Sequence, residues 1–183
     1  METLTTAAEE QRYAELQMLA LDYARTGETE LLAGMIRHGL PVNLADARGN
    51  SLLMLACYNQ NAATARMLLE LGAEVDRRNQ RHQTPLGGVA FKGYEEIVTL
   101  LLAHRAEVDA DNGAGMTPLM FAAMFGRTRV VEQLQIHGAS VKRRNRLGIS
   151  AHFMIRLARF LARLFPRSRL SIPSTPPNVP LKL

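Results

Sequence analysis

The sequence has one cysteine, Cys57, which excludes an intramolecular disulfide and leaves the fold with no need of an oxidising compartment. Long apolar runs are missing too. No stretch of about 18 apolar residues is free of charge, so no transmembrane helix is expected. The N-terminal METLTTAAEEQ carries glutamates and no apolar run, unlike a secretory signal. A phosphate loop, a nucleophile elbow and a zinc-protease helix motif are all lacking. These absences point to a cytoplasmic protein. Acidic residues end at Glu132, and from Lys142 to Leu183 ten Lys or Arg stand without an Asp or Glu. The rest of the chain carries more acidic than basic residues, although the net charge is +5. An acidic body joined to a basic end implies two surfaces with different partners.

What the sequence does have is a period. The stretch beginning Thr84-Pro-Leu is followed about 33 residues later by Thr117-Pro-Leu and preceded at the same interval by Ser51-Leu-Leu. A repeat that holds phase without insertion marks a stacked solenoid. Four units follow, at 18–50, 51–83, 84–116 and 117–149. Ser51, Thr84 and Thr117 suit the N-cap, and Pro85 and Pro118 suit the first helical position. Ala56/Cys57, Val89/Ala90 and Ala122/Ala123 let neighbouring first helices approach closely. Gly93 and Gly126 break each unit between its helices, with Gln60 in that place in the second unit. The second helices present Leu31/Leu32/Met35/Ile36, Ala65/Leu68/Leu69, Ile97/Val98/Leu101/Leu102 and Val130/Val131/Leu134 at the spacing of one face. Gly39, Gly72 and Gly138 end them, and Arg105 stands where the third unit needs a left-handed residue. Asp46, Asn79, Asn112 and Asn145 share one position and suit side-chain-closed turns in hairpin-like fingers. Residues 1–17 form a helical extension opened by a Thr6/Glu9 capping box, one helix running from about Ala7 to Arg25.

The pattern T-P-L, a small pair, Gly, an apolar helix, Gly-Ala-x-Val-Asp and Asx-x-x-Gly resembles the ankyrin repeat, over residues 18–149. The resemblance implies an all-α repeat solenoid of helix-turn-helix units with β-hairpin-like finger loops. The histidine usual after T-P-L is Gly87 in the third unit and Met120 in the fourth, so its hydrogen-bond network is expected to be lost there. The resemblance also implies a monomeric, non-catalytic adaptor or regulatory module without cofactor. Such stacks bind a protein through the finger tips and the exposed positions of the first helices. Mapped here, that surface is Arg25, Tyr58, Phe91 and Met124 in one column, Asn59, Lys92 and Phe125 beside it, and Arg48, Arg81 and Met116 on the fingers. Gly87 and Gly88 leave space beside Phe91, which puts the centre of the groove in the third unit.

Other chemistry finds less support. Glu9/Glu10 and Glu95/Glu96 are sequence neighbours that point apart on a helix. His38, His104 and His137 form a column whose repeat spacing of about 8–10 Å is too wide for a shared metal ion. After Ser150 the pattern lapses. Residues 150–165 read as an amphipathic helix with Phe153, Met154, Leu157, Phe160, Leu161, Leu164 and Phe165 on its apolar face and Arg156, Arg159 and Arg163 opposite. Capping the stack with that apolar face is the favoured role. A membrane surface, or nucleic acid drawn to Arg143, Arg144, Arg146 and the later arginines, is the alternative partner. Residues 166–183 are Pro-rich and read as disordered.

Overall fold

The structure, a computed structural model, describes residues 6–164. Phe165 and the Pro-rich segment lie outside these. Among the described residues there are nine helices: α1 (Ala7–Thr26), α2 (Thr29–Arg37), α3 (Leu52–Tyr58), α4 (Ala62–Glu70), α5 (Pro85–Lys92), α6 (Glu95–Ala103), α7 (Pro118–Met124), α8 (Thr128–Ile136) and α9 (Ala151–Leu164). They form an all-α solenoid. α1, α3, α5, α7 and α9 stack in one layer, and α2, α4, α6 and α8 in the other. The only strand-like pairings among the described residues are the isolated bridges Ala45–Ser51 and Arg144–Ser150, at the roots of the first and last fingers.

Local chemistry sets the helix ends. Thr6 accepts from Glu9 N–H at 3.4 Å and its own N–H donates to the Glu9 carboxylate at 2.8 Å, a complete capping box. The Ser51, Thr84 and Thr117 hydroxyls accept from the backbone N–H three residues on, at 3.2, 3.1 and 3.3 Å. Each such cap is worth about 1 kcal/mol. Gly39, Gly72 and Gly138 take positive φ after α2, α4 and α8, and Arg105 is forced to φ 63° after α6. Gln60 likewise adopts φ 65° in the place of a glycine.

The core runs the length of the stack as one cluster, from Ala20 and Leu32 through Leu53, Leu86 and Leu101 to Leu134 and Ala151. The small pairs 56/57, 89/90 and 122/123 are all buried, as close helix approach requires. Polar side chains stitch unit to unit. Asn43, Asp76 and Asp109 accept from the backbone N–H of Glu74, Glu107 and Ser140, each one unit ahead. Asn61 donates to the Ala24 and Arg25 carbonyls, and Arg127 to the Phe91 carbonyl.

Three expectations need correction. Leu31 is 54% exposed, and α2 is buried through Leu32 and Ala33 instead. The third finger is not closed by Asn112. Asp111 accepts from Gly113 and Gly115 N–H, while Asn112 turns inward and is buried. Finally, α9 does not dock by its large apolar face. Ala151 is buried and Met154 and Ile155 partly so, while Phe153, Leu157, Phe160, Leu161 and Leu164 are exposed. α9 packs on α7 through its first turns, where Ala151 is its one fully buried residue.

Candidate protein-binding surface

The predicted surface comprises the C-terminal ends of α1, α3, α5 and α7 and the fingers. Tyr58 ends α3 and is 39% exposed. Its ring lies over Gly88 of α5, where a Cβ would come within 2.9 Å of the ring edge. Lys92 Nζ sits 4.9 Å from the centre of the same ring. Such a cation–π contact is worth about 0.5–1 kcal/mol at an exposed site. Burial against α5 pushes the Tyr58 phenol up, Tyr94 adds to this and Arg81 opposes it. Tyr58 is therefore a neutral donor at physiological pH.

Further along, Phe91 of α5 meets Phe125 edge to face, with centroids 4.3 Å apart and an interplanar angle of 68°. Phe91 is half-buried, whereas Phe125 and Met124 are exposed. The predicted column thus divides into two contacts across unit boundaries, Tyr58–Lys92 and Phe91–Phe125, with Met124 beyond. Arg25, at its other end, points to the first finger and pairs with Asp46 at 3.5 Å. Asn59 is turned back on its own helix, donating to the Leu55 carbonyl at 2.8 Å. Met116 is partly buried, with the Asn145 amide 3.4 Å from its sulfur. It belongs more to the finger's packing than to a free surface.

Between the first two fingers and α3 lies a cleft of about 430 Å³, with Tyr58, Asn59 and Gly88 on one wall and Arg48, Gln80 and Arg81 on the other. Both arginines are exposed. The fingers that carry them are pinned: Gln80 N–H donates to the Arg48 carbonyl, and the Gln80 amide to the Ala47 carbonyl. Gln80 is not marked out by the sequence, and Gly88, expected to open space beside Phe91, instead admits the Tyr58 ring. The Tyr58–Gly88 contact crosses a unit boundary, and no single-unit pattern records it.

Gly87 explains the behaviour of Asn112. A Cβ at Gly87 would overlap the Asn112 amide, which occupies that space. There Asn112 Oδ1 accepts from Thr84 N–H at 2.7 Å and from the Thr84 hydroxyl at 3.0 Å, and its amide donates to the Ala110 carbonyl at 2.9 Å. A buried hydrogen-bond network therefore persists in the third unit, made by Asn112. The room left by the two glycines is taken by Asn112 and Tyr58, not by a void beside Phe91.

The remaining candidates are quickly placed. Cys57 is buried, and burial pushes its thiol up to about 12, so it is a protonated core residue at neutral pH. His38 and His137 each have Nδ1 within 2.8 Å of a carbonyl of their own helix. In the basic run after α8, Arg143 donates to the Asp109 carbonyl and Arg144 to the Gly148 carbonyl. Arg146, Arg156, Arg159 and Arg163 are exposed. Among the described residues, no helix is long and apolar enough to cross a membrane.

Comparison with known proteins agrees with this architecture. A family model of three ankyrin repeats matches residues 71–145, and a single-repeat ankyrin model matches residues 48–80. Protein fem-1 homolog A-like of Mus musculus is 41% identical over 66 residues, 36% of this chain and 10% of that protein. A Pseudomonas aeruginosa protein with an ankyrin-repeat name, PA3287, is 46% identical over 46 residues, 25% of this chain and 27% of that one. XBAT35 of Arabidopsis thaliana, whose name proposes an E3 ubiquitin-protein ligase, is 38% identical over 81 residues, 43% of this chain and 18% of that protein. The matched regions are thus a quarter or less, or little more, of these relatives' own lengths. Together the two family models span more than half of the sequence and coincide with the stacked helix pairs, and the chain belongs to the ankyrin repeat family, whose repeats are protein-interaction modules.

Proposed function

We propose that the chain is a non-catalytic adaptor or regulatory module that acts as a monomer in the cytoplasm and offers its concave face to a protein partner. In this reading residues 18–149 are the binding unit, residues 1–17 extend it and residues 150–165 close its end. The observation that carries the proposal is the pair of partly exposed contacts, Tyr58–Lys92 and Phe91–Phe125, beside a cleft rimmed by Arg48 and Arg81. Aromatic and arginine side chains held against a rigid backing are the chemistry of interface hot spots. The contacts preset the side-chain geometry, which lowers the ordering cost of association. Met124 and Asn59 extend the surface at its edges.

The test begins by capturing a partner with the intact protein and titrating the purified pair. Tyr58→Ala and Phe125→Ala are each expected to weaken binding about tenfold or more, with the thermal midpoint lowered by only a few degrees. Half-buried Phe91 is expected to lose both affinity and stability on truncation to Ala. Unchanged affinity in Y58A and F125A would remove the concave face from the reading.

A further inference from the structure

The large apolar face of α9 has no partner among the described residues. Helix geometry separates the faces of α9. Ala151, Met154, Ile155 and Ala158 face the stack. Phe153, Leu157, Phe160, Leu161 and Leu164 form a second stripe, each between 44% and 58% exposed. Arg156 and Arg163 adjoin the second stripe on its far side, and Arg159 lies further round, at the rim of the cleft against the stack; all three are exposed. α9 packs on α7 but leaves a cleft of about 540 Å³ towards α8, lined by Ala122, Val131, Ile155, Ala158 and Ala162 with Glu132 and Arg159.

We infer that α9 is an interfacial helix that lays this apolar stripe into an anionic lipid surface. The stripe is convex and sits at the end of the solenoid, so it needs a deformable apolar medium more than a shaped groove. The helix is about 21 Å long, enough for a segment lying in the plane of the interface. Charge selects the sign of that surface. Ten Lys or Arg and no acidic residue occur between Lys142 and Leu183. Arg156 and Arg163, beside the stripe, lie where lipid phosphates and carboxylates would meet them. A second copy of the chain is the poorer occupant, because face-to-face packing would bring the arginines of two copies together. The proposal is independent of the concave face, which a lipid-bound α9 leaves open to a protein.

The experiment is flotation of the full chain with vesicles of phosphatidylcholine alone or with about one-third phosphatidylserine, at about 0.15 M salt. Binding to the anionic vesicles at least about tenfold above the neutral ones is expected. The double variant F153S/F160S is expected to lose at least about tenfold of that binding with an unchanged unfolding midpoint, since both rings are already exposed. R156E/R163E is expected to lose a similar factor and to lose the preference for anionic lipid. Failure of the wild type to float with anionic vesicles would overturn the proposal. So would full retention of binding by F153S/F160S, which would assign it to the basic residues alone. Concentration-dependent dimerisation abolished by F153S/F160S would overturn it in favour of a second copy.

Discussion

At the scale of single residues, Gly87 and Asn112 act as one unit. Gly87 gives up helix propensity worth about 1 kcal/mol relative to Ala. The space it leaves admits an amide that satisfies the Thr84 N–H and hydroxyl inside the core. Gly87→Ala should therefore destabilise the protein by about 2 kcal/mol despite the better helix former, because overpacking and broken buried hydrogen bonds outweigh propensity. Asn112→Ala should cost about as much, by orphaning the Thr84 N–H. The double variant should cost clearly less than the sum, since each change removes what the other disturbs. Urea denaturation of the four proteins gives the cycle, and strict additivity would contradict the coupling. The sequence revealed that Gly87 displaces a repeat histidine, because that is a single-position fact. It did not reveal what replaces the histidine. Asn112 also fits the finger-turn position, and only the neighbouring Asp111, able to close the turn instead, frees it to point inward.

Elements were legible where their chemistry is local. The caps at Ser51, Thr84 and Thr117 and the left-handed positions at Gly39, Gly72, Arg105 and Gly138 stand where the sequence pattern puts them. In α9, apolar bulk does not decide which face packs. Large residues carry more hydrophobic free energy, but α9 packs on α7 by its first turns, through Ala151, Met154 and Ile155. The fingers allow a pH test of an element. In the first, Asp46 Oδ1 accepts from Arg48 and Asn50 N–H at 2.9 Å, the bonds Asn79 and Asn145 make in their own fingers. Burial alone would raise the Asp46 carboxyl. The Asn50 and Arg48 hydrogen bonds and the nearby Arg25 charge outweigh it and hold the group below its ordinary value. A lowered folded value means stability present above the unfolded value of about 3.9 and lost as pH falls through the folded one. Asp46→Asn keeps the turn and removes that dependence. Its unfolding free energy should fall less steeply than wild type's between about pH 5 and pH 2, with a modest loss at pH 7 from the missing Arg25 pair. Asp76, whose carboxyl burial raises, works in the opposite direction in both proteins and cancels from the difference. Parallel pH curves would show that the Asp46 charge contributes nothing.

For the whole molecule, the stack is one-dimensional. Each helix pair touches only its neighbours, so stability is a sum of unit and interface terms and the ends are supported on one side. The two ends are also poorly covered. In α1, Tyr13, Leu16, Met18 and Leu19 are exposed, and burial begins at Ala20. At the far end, α9 is anchored by Ala151, Met154 and Ile155, with its last two turns exposed. The middle is different. α5 buries six of its eight residues, its N-cap is tied to Asn112 of its own unit, and it meets α3 through Tyr58–Lys92 and α7 through Phe91–Phe125. Native-state hydrogen exchange should follow this gradient. Amides of α5 and α6 should exchange slowest, near the global unfolding limit, and those of α3, α4, α7 and α8 somewhat faster. The first turns of α1 and the last turns of α9 should exchange at least about a hundredfold faster than α5. Anionic vesicles should slow exchange in α9 without altering α5, which ties the gradient to the end where lipid is proposed to bind. Uniform protection from α1 to α9 would mean that the interfaces are strong enough to make the solenoid one cooperative unit, and that its ends are as fixed as its concave face.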